Sequence, residues 1–284
     1  MESYKEIDNL IDLALAEDIR SGDITTLALI PEKAIISANL SLKQAGVVAG
    51  LPFIERFFHK VDPLIKVELC CKEGAFLKSG TVIALITGPA QGIFTAERAV
   101  LNFLQHCSGV ATTTAAFVKK VAGLNCAIMD TRKTLPGLRA IEKYAVKVAG
   151  GKNHRFGLDD RLVIKRNHIS FLNASSPHAF NEAFEKVKAK SGDLPIEIEI
   201  DDITLLDRAL KTDVFAITLS NMTPEDITKC VRKIRKTNKK VYIESAGIIS
   251  LETVRAYAET GIDGISIGDL THSVKALDIK LRLI

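Results

Sequence analysis

The chain has 284 residues, 47% hydrophobic and 25% charged, which fits a folded globular protein with room for two domains and argues against an intrinsically disordered one. Lys plus Arg number 38 against 34 Asp plus Glu, so the net charge of +4 falls short of a dedicated nucleic-acid binder, and 6% aromatics with no Trp leave few platforms for stacking bases. No apolar run approaches the ~18 residues of a membrane span, the polar start lacks a signal-peptide pattern, and five cysteines without C-x-x-C spacing read as mostly buried, reduced thiols of a cytoplasmic protein.

Apolar residues at helical spacing predict a helix over 6–17, followed by a turn-rich stretch over 18–26. Alternation predicts a strand over 34–42; Gly46 to Gly50 reads as a turn or tight strand end, and Pro52 to Phe58 as a short amphipathic helix. Strands are expected over 64–71 and 81–86, punctuated by Gly74 and Gly80, and a long helical pattern runs from Thr95 to Val121. This α+β region, residues 1–110, is the first expected domain, with the extreme C-terminus free to pack back on it; residues 111–284 are the second.

The second region alternates strand and helix. Strands are expected over 126–129, 161–165, 196–200, 214–219, 241–243 and 263–267, with helical patterns over 136–149, 177–190, 202–211, 224–236 and 251–260. Such alternation implies parallel strands joined by crossover helices. Six strands fall short of the eight of a full barrel; a partial or open barrel and a doubly wound sheet fit the pattern equally.

Polar residues gather near the carboxyl ends of these strands, where the connecting loops of α/β folds converge on ligands. They are Asp130 to Lys133, Lys165 with Asn167 and His168, Glu197 and Glu199, Ser220 and Asn221, Glu244 and Ser245, and Gly268 with Asp269, Thr271 and His272. Arg132, Lys133, Arg139, His154, Arg155 and Lys165 make the first half of this set cationic, which suits carboxylate or phosphate. In Ile196-Glu-Ile-Glu-Ile200 the two acids share one face, inward in a barrel, where a cation or metal must compensate them. Hard oxygen donors suggest Mg²⁺ held together with substrate phosphates. Zinc spacing, a P-loop and the G-x-G-x-x-G fingerprint are all missing; Gly247, Gly264 and Gly268 would permit close backbone approach to phosphate after late strands.

Several blocks resemble the quinolinate phosphoribosyltransferase family: Asp130-Thr-Arg-Lys-Thr-Leu-Pro-Gly-Leu-Arg139, Lys143-Tyr-Ala-Val146, Gly150-Gly-Lys-Asn-His-Arg155, Ile164-Lys165 with Asn167-His168, and Glu197-Ile-Glu199. Further similar stretches are Gly46-Val-Val-Ala-Gly-Leu51, Glu97-Arg98, Leu101 to Gln105 and Leu270 to Ser273, so the resemblance spans nearly the whole chain. It implies an N-terminal α/β sandwich domain packed on an incomplete, open α/β barrel, working as a homodimer or higher oligomer. It implies transfer of phosphoribosyl from phosphoribosyl pyrophosphate to quinolinate with decarboxylation, a step of NAD biosynthesis, with Mg²⁺. By the same resemblance, Arg132, His154, Arg155 and Lys165 grip the acceptor's two carboxylates, and Arg98 reaches in from the neighbouring subunit. Thr131, Lys133, Glu199, Ser220, Ala246, Gly247 and Gly268 surround the donor, with Glu199 and Ser220 nearest the metal and Lys133, Lys165 and Glu199 as the catalytic set.

The chain departs from the family's pattern at three places. Leu219-Ser220-Asn221 replaces Leu-Asp-Asn, Glu244-Ser-Ala-Gly-Ile248 replaces Glu-Ser-Ser-Gly-Gly, and Arg166 stands where an acid is common. The alternatives to an active enzyme of this kind are a relative using another pyridine or anionic acceptor, and an impaired homologue that binds a dicarboxylate or phosphorylated ligand.

Overall fold

The computed structural model of the chain describes residues 2–175, 179–237 and 240–284. In chain order the elements are α1 (Glu2–Ile19), α2 (Ile24–Leu29), β1 (Ile35–Leu42), β2 (Gly46–Val47), α3 (Ile54–Val61), β3 (Lys66–Leu69), β4 (Phe76–Leu77), β5 (Val82–Pro89), α4 (Ala90–Lys120) and β6 (Ala127–Met129). There follow α5 (Arg139–Val148), β7 (Leu162–Ile164), α6 (Arg166–Ser175), α7 (Ala179–Ser191), β8 (Ile196–Ile200), α8 (Leu206–Ala209) and β9 (Ala216–Ser220). The last are α9 (Pro224–Thr237), β10 (Tyr242–Ala246), α10 (Val254–Ala258), β11 (Gly264–Ser266), α11 (Asp269–His272) and β12 (Ile279–Leu283). The chain forms two compact units: Met1–Ala115 with Lys133–Gly150 and Asp269–Ile284, and Ala116–Arg132 with Gly151–Gly268.

The first unit is an α/β sandwich around an antiparallel sheet of order β12-β1-β5-β3. In α1 the apolar residues Ile7, Ile11 and Leu15 recur every fourth position and are buried, and α1 packs on α3 and α5. Phe53 and Phe57 meet Phe103 edge-on at centroid distances of 5.7 and 5.1 Å, which fills the core with large rings. Four elements of this unit lie beyond the sequence pattern: α2, β4, α11 and β12. The stretch read as turn-rich contains α2, because Asp23 accepts the Thr26 N–H at 2.9 Å and caps a helix too short to show a period. The C-terminal residues form edge strand β12, antiparallel to β1.

The second unit is an open α/β barrel. Its six parallel strands run β6-β11-β10-β9-β8-β7, so β6 and β7, consecutive in sequence, lie at opposite edges. Strand order never reverses, which excludes the doubly wound alternative. Strand register places Glu197 and Glu199, Thr218 and Ser220, Glu244 and Ala246, and Ser266 on one face. The opposite face carries Ile198, Ile200, Ile217, Leu219, Ile243 and Ile265, all buried. The single-residue alternation of polar and aliphatic side chains therefore sorts a polar interior from an apolar outer layer. Helix α6, starting directly after Lys165, was not expected; of the helix predicted over 177–190, the first two positions lie outside the described residues and the rest corresponds to α7.

All five cysteines are free, but only Cys107 and Cys230 are buried, so the expectation of mostly buried thiols is corrected: Cys70 sits exposed and Cys71 and Cys126 half-buried, just outside strand ends. No helix among the described residues is long and apolar enough to cross a membrane.

Candidate active site

The barrel end of β6 organises the first cationic loop. Buried Asp130 accepts the His154 backbone N–H at 2.8 Å and the Asn153 amide at 2.5 Å, and its own N–H donates to the Lys152 carbonyl at 3.2 Å. The loop over 152–155 is thereby fixed beside Met129, where Lys152 forms a parallel bridge. Arg155, 8% exposed, donates from Nη1 to the Arg161 carbonyl at 2.7 Å, and its backbone N–H donates to His154 Nδ1 at 2.8 Å. Burial, the like charges of Arg132 and Arg161, and only partial relief from Glu197 and Asp160 pull the Arg155 guanidinium below its ordinary pKa. An anion at this point would relieve that strain in charge.

Beneath the loop lies a buried acid-base cluster. Glu197 Oε2 is 2.9 Å from Arg161 Nη1 and 3.3 Å from His154 Nε2, and Oε1 accepts the Thr218 hydroxyl at 2.6 Å. Burial opposes the Glu197 charge, but these donors outweigh it and hold the carboxyl down at about 2. Glu244 behaves oppositely: burial and the facing Glu197 carboxylate push it up to about 7, against the pull of His154, the Ser266 hydroxyl that donates to Oε1, and Arg161. His154, Glu197 and Glu244 each present a ligand atom within 4.8 Å of the others, yet the Arg161 guanidinium already supplies the compensating cation. The sequence expectation that the inward acids need a cation is met here by an arginine. Asp130 belongs to the polar strand-end set that the sequence marks, whereas Arg161, Thr218 and Ser266 carry no such mark; the parallel pairing of Val163 with Glu197 is what brings the residues flanking β7 beside β8.

Further along the same carboxyl-end face, Lys165 Nζ lies 3.4 Å from Glu199 Oε2, both groups reaching solvent. Buried Ser220 accepts the Asn221 amide at 3.4 Å, and Asn221, with φ of 54°, donates its N–H to the Ala246 carbonyl at 2.8 Å. Gly247 is required beside it: its φ is +147°, and a Cβ there would meet Asn221 Oδ1 at 2.8 Å. Arg166 pairs with Asp201 at 2.8 Å, and both line a cavity of about 580 Å³ with Asp202, Asn221 and Thr223. Glu199 and Ser220 offer one carboxylate and one hydroxyl on neighbouring strands β8 and β9, hard oxygen donors of the kind Mg²⁺ takes. Thr131, Arg132 and Gly268 stand at the ends of β6 and β11 in this unit, half-buried. His168 instead caps the start of α6, where its Nδ1 accepts the Lys165 N–H at 3.0 Å.

Two expected site residues belong to the first unit. Arg98 is exposed on α4. Lys133 is exposed on a loop whose contacts include these: its carbonyl accepts the Thr271 hydroxyl at 2.6 Å, Thr134 accepts Arg139 Nε at 3.2 Å, and Leu135 N–H donates to buried Glu142 at 3.2 Å. Glu142 is in turn anchored by His106 Nε2 at 2.9 Å.

Comparison with known proteins gives the family. The model of the quinolinate phosphoribosyl transferase N-terminal domain matches residues 23–108, and that of the C-terminal domain matches 110–282. A nicotinate-nucleotide pyrophosphorylase [carboxylating] of Mycobacterium leprae is 40% identical over 273 residues, covering 95% of this chain and 94% of that protein. A chloroplastic nicotinate-nucleotide pyrophosphorylase [carboxylating] of Arabidopsis thaliana is 38% identical, covering 96% of this chain and 82% of that protein. The solved nicotinate-nucleotide pyrophosphorylase of Francisella tularensis superposes with a TM-score of 0.89 at 32% identity, covering 99% of this chain and 96% of the other. The chain belongs to the quinolinate phosphoribosyltransferase family.

Proposed function

We propose that the chain transfers the phosphoribosyl group of phosphoribosyl pyrophosphate to quinolinate with loss of CO₂, giving nicotinate mononucleotide and pyrophosphate in NAD biosynthesis. The observation that carries this reading is the charge state of the barrel mouth. Buried Arg155 stands among the like charges of Arg132 and Arg161, with one fully buried carboxylate, Glu197, already committed to Arg161. A planar dianion meets that need through bidentate guanidinium contacts.

In this reading Arg132, Arg155 and Lys165 take the two carboxylates and His154 fixes the Arg155 backbone. Thr131, Lys133, Ala246, Gly247 and Gly268 face the donor's phosphates. The acceptor's ring nitrogen displaces pyrophosphate at the ribose carbon, so positive charge grows on the sugar and negative charge on the leaving group. Glu199 stabilises the cationic sugar, Lys133 the leaving pyrophosphate. Glu199 and Ser220 would hold Mg²⁺ together with the donor's phosphates, and the bound metal would supply neutralisation of the pyrophosphate charge. The ring nitrogen, now a pyridinium, draws in the electron pair of the adjacent C–CO₂ bond; CO₂ leaves and the ring carbon takes a proton from water. No covalent nucleophile is needed.

The working form is a homodimer in the cytoplasm, with Arg98 of each subunit serving the neighbouring site. Incubation with quinolinate, phosphoribosyl pyrophosphate and Mg²⁺ tests the reading: nicotinate mononucleotide and CO₂ should appear one for one, and Arg155→Ala should abolish both. Turnover that survives Arg155→Ala would refute it.

A further inference from the structure

The cluster beneath Arg155 contains more acid than it contains cation. Glu197 is paired with Arg161 at 2.9 Å. Glu244 is 1% exposed, and its Oε2 receives no hydrogen bond among the described residues, although Oε1 accepts from Ser266. The charged and titratable groups facing Glu244 are Glu197 on β8, Arg161 and His154 on the segment before β7, and Tyr242 on its own strand. An ionised Glu244 would therefore put two buried carboxylates opposite one guanidinium, which is unfavourable unless a second cation forms.

His154 could become that cation only by protonating Nδ1. That atom is committed, because it accepts the Arg155 backbone N–H at 2.8 Å. A proton there would set one donor against another and release the Arg155 backbone. Meanwhile Nε2 points to the carboxylates, 3.3 Å from Glu197 and 3.6 Å from Glu244.

We propose that the proton shared by this cluster sits on Glu244 rather than on His154, so that Glu244 is a positioning residue for Arg155, acting through His154. Neutral Glu244 leaves Arg161 and Glu197 balanced and His154 in its Nε2–H form. Nε2 donates toward Glu197, and Nδ1 holds the Arg155 main chain. When Glu244 loses its proton, a second negative charge faces Arg161 and His154, draws the His154 ring toward Glu244, and loosens the hold of Nδ1 on the Arg155 main chain that presents the guanidinium to the acceptor. Burial and the opposing Glu197 carboxylate, which raise the proton affinity of Glu244, support this placement. The inference rests on the reading of Arg155 as an acceptor-binding group, but the location of the proton can be measured without substrate.

The first measurement is ¹⁵N NMR of the imidazole rings in the full chain at pH 6, with His154 assigned among the six histidines by His154→Gln. A bare Nδ1 and a protonated Nε2 are expected; a doubly protonated His154 ring would overturn the proposal. The second is the quinolinate KM from pH 6 to 8.5 in the wild type and in Glu244→Gln, the neutral isostere. The wild-type KM should rise by about tenfold, while that of Glu244→Gln should stay within about twofold. A parallel rise in both would overturn the proposal even if the variant is less stable, because a merely structural role lowers activity without flattening the pH profile. The expected tautomer in a protein that never turns over quinolinate would instead count against the functional reading.

Discussion

Replacing Arg161 by Met removes the guanidinium from the buried cluster while keeping much of the side chain's apolar volume. Glu197, with 3% of its side chain exposed, would lose the cation at 2.9 Å and keep only the Thr218 hydroxyl and His154. Breaking a buried pair from one side costs about 3–5 kcal/mol. The two remaining donors place this case at the lower end, about 3 kcal/mol, with a small further loss from the Arg161 guanidinium over the Phe215 ring at 5.3 Å. For a chain of this size that is a fall in Tm of about 5 °C. Glu197→Gln removes the charge that needs pairing, so Arg161→Met combined with Glu197→Gln should be more stable than Arg161→Met alone, with a coupling of about 2 kcal/mol. Thermal and urea unfolding of the four proteins near neutral pH measures the cycle. Additive costs would show that the pair is not an energetic unit and that the inward acid is tolerated for another reason.

Quinolinate should bind at least about 30-fold more tightly than nicotinate by calorimetry, because losing one charge-assisted carboxylate contact costs about 2 kcal/mol; equal affinities would reject Arg132, Arg155 and Lys165 as a dicarboxylate grip. Arg98→Ala and Lys133→Ala should each be nearly inactive, and co-refolding them should restore about a quarter of wild-type sites through mixed dimers. No recovery despite demonstrated subunit exchange would remove Arg98 from the neighbouring site. Ser220→Asp adds a hard oxygen charge beside the donor's phosphates, so half-maximal activity should need less Mg²⁺ with quinolinate affinity little changed. An unchanged or higher Mg²⁺ requirement would contradict the metal role given to Ser220.

The barrel was legible because its strands carry a period that helices do not. Ile196 to Ile200 alternates acid and isoleucine, and the structure puts the two sets on opposite faces of β8, the isoleucines and Glu197 buried and Glu199 half-exposed. Pattern alone left an open barrel and a doubly wound sheet equal, since strand order is a property of pairing between distant segments. Elements held by tertiary contacts were invisible for the same reason: β12 exists through its pairing with β1, and α2 through one Asp23 cap. In the site, residue types pointed to an anion at Arg132, Arg155 and Lys165, but Arg161 gave no sign of its role. It precedes a short strand like any surface arginine, and only the register of β7 on β8 sets it against Glu197. Conversely, Glu244 reads in the sequence as a strand-end polar group, and its raised proton affinity follows from burial and the facing Glu197, which no local pattern encodes.

The most direct test of the central claim is single-turnover chemistry with quinolinate labelled in the carboxylate next to the ring nitrogen. Mixed with phosphoribosyl pyrophosphate, Mg²⁺ and excess protein, the label should leave as CO₂ in step with nicotinate mononucleotide and pyrophosphate, and should remain in place when the donor is omitted. Tight quinolinate binding with no labelled CO₂, under conditions where the donor also binds, would show a protein that holds the acceptor without catalysing the transfer.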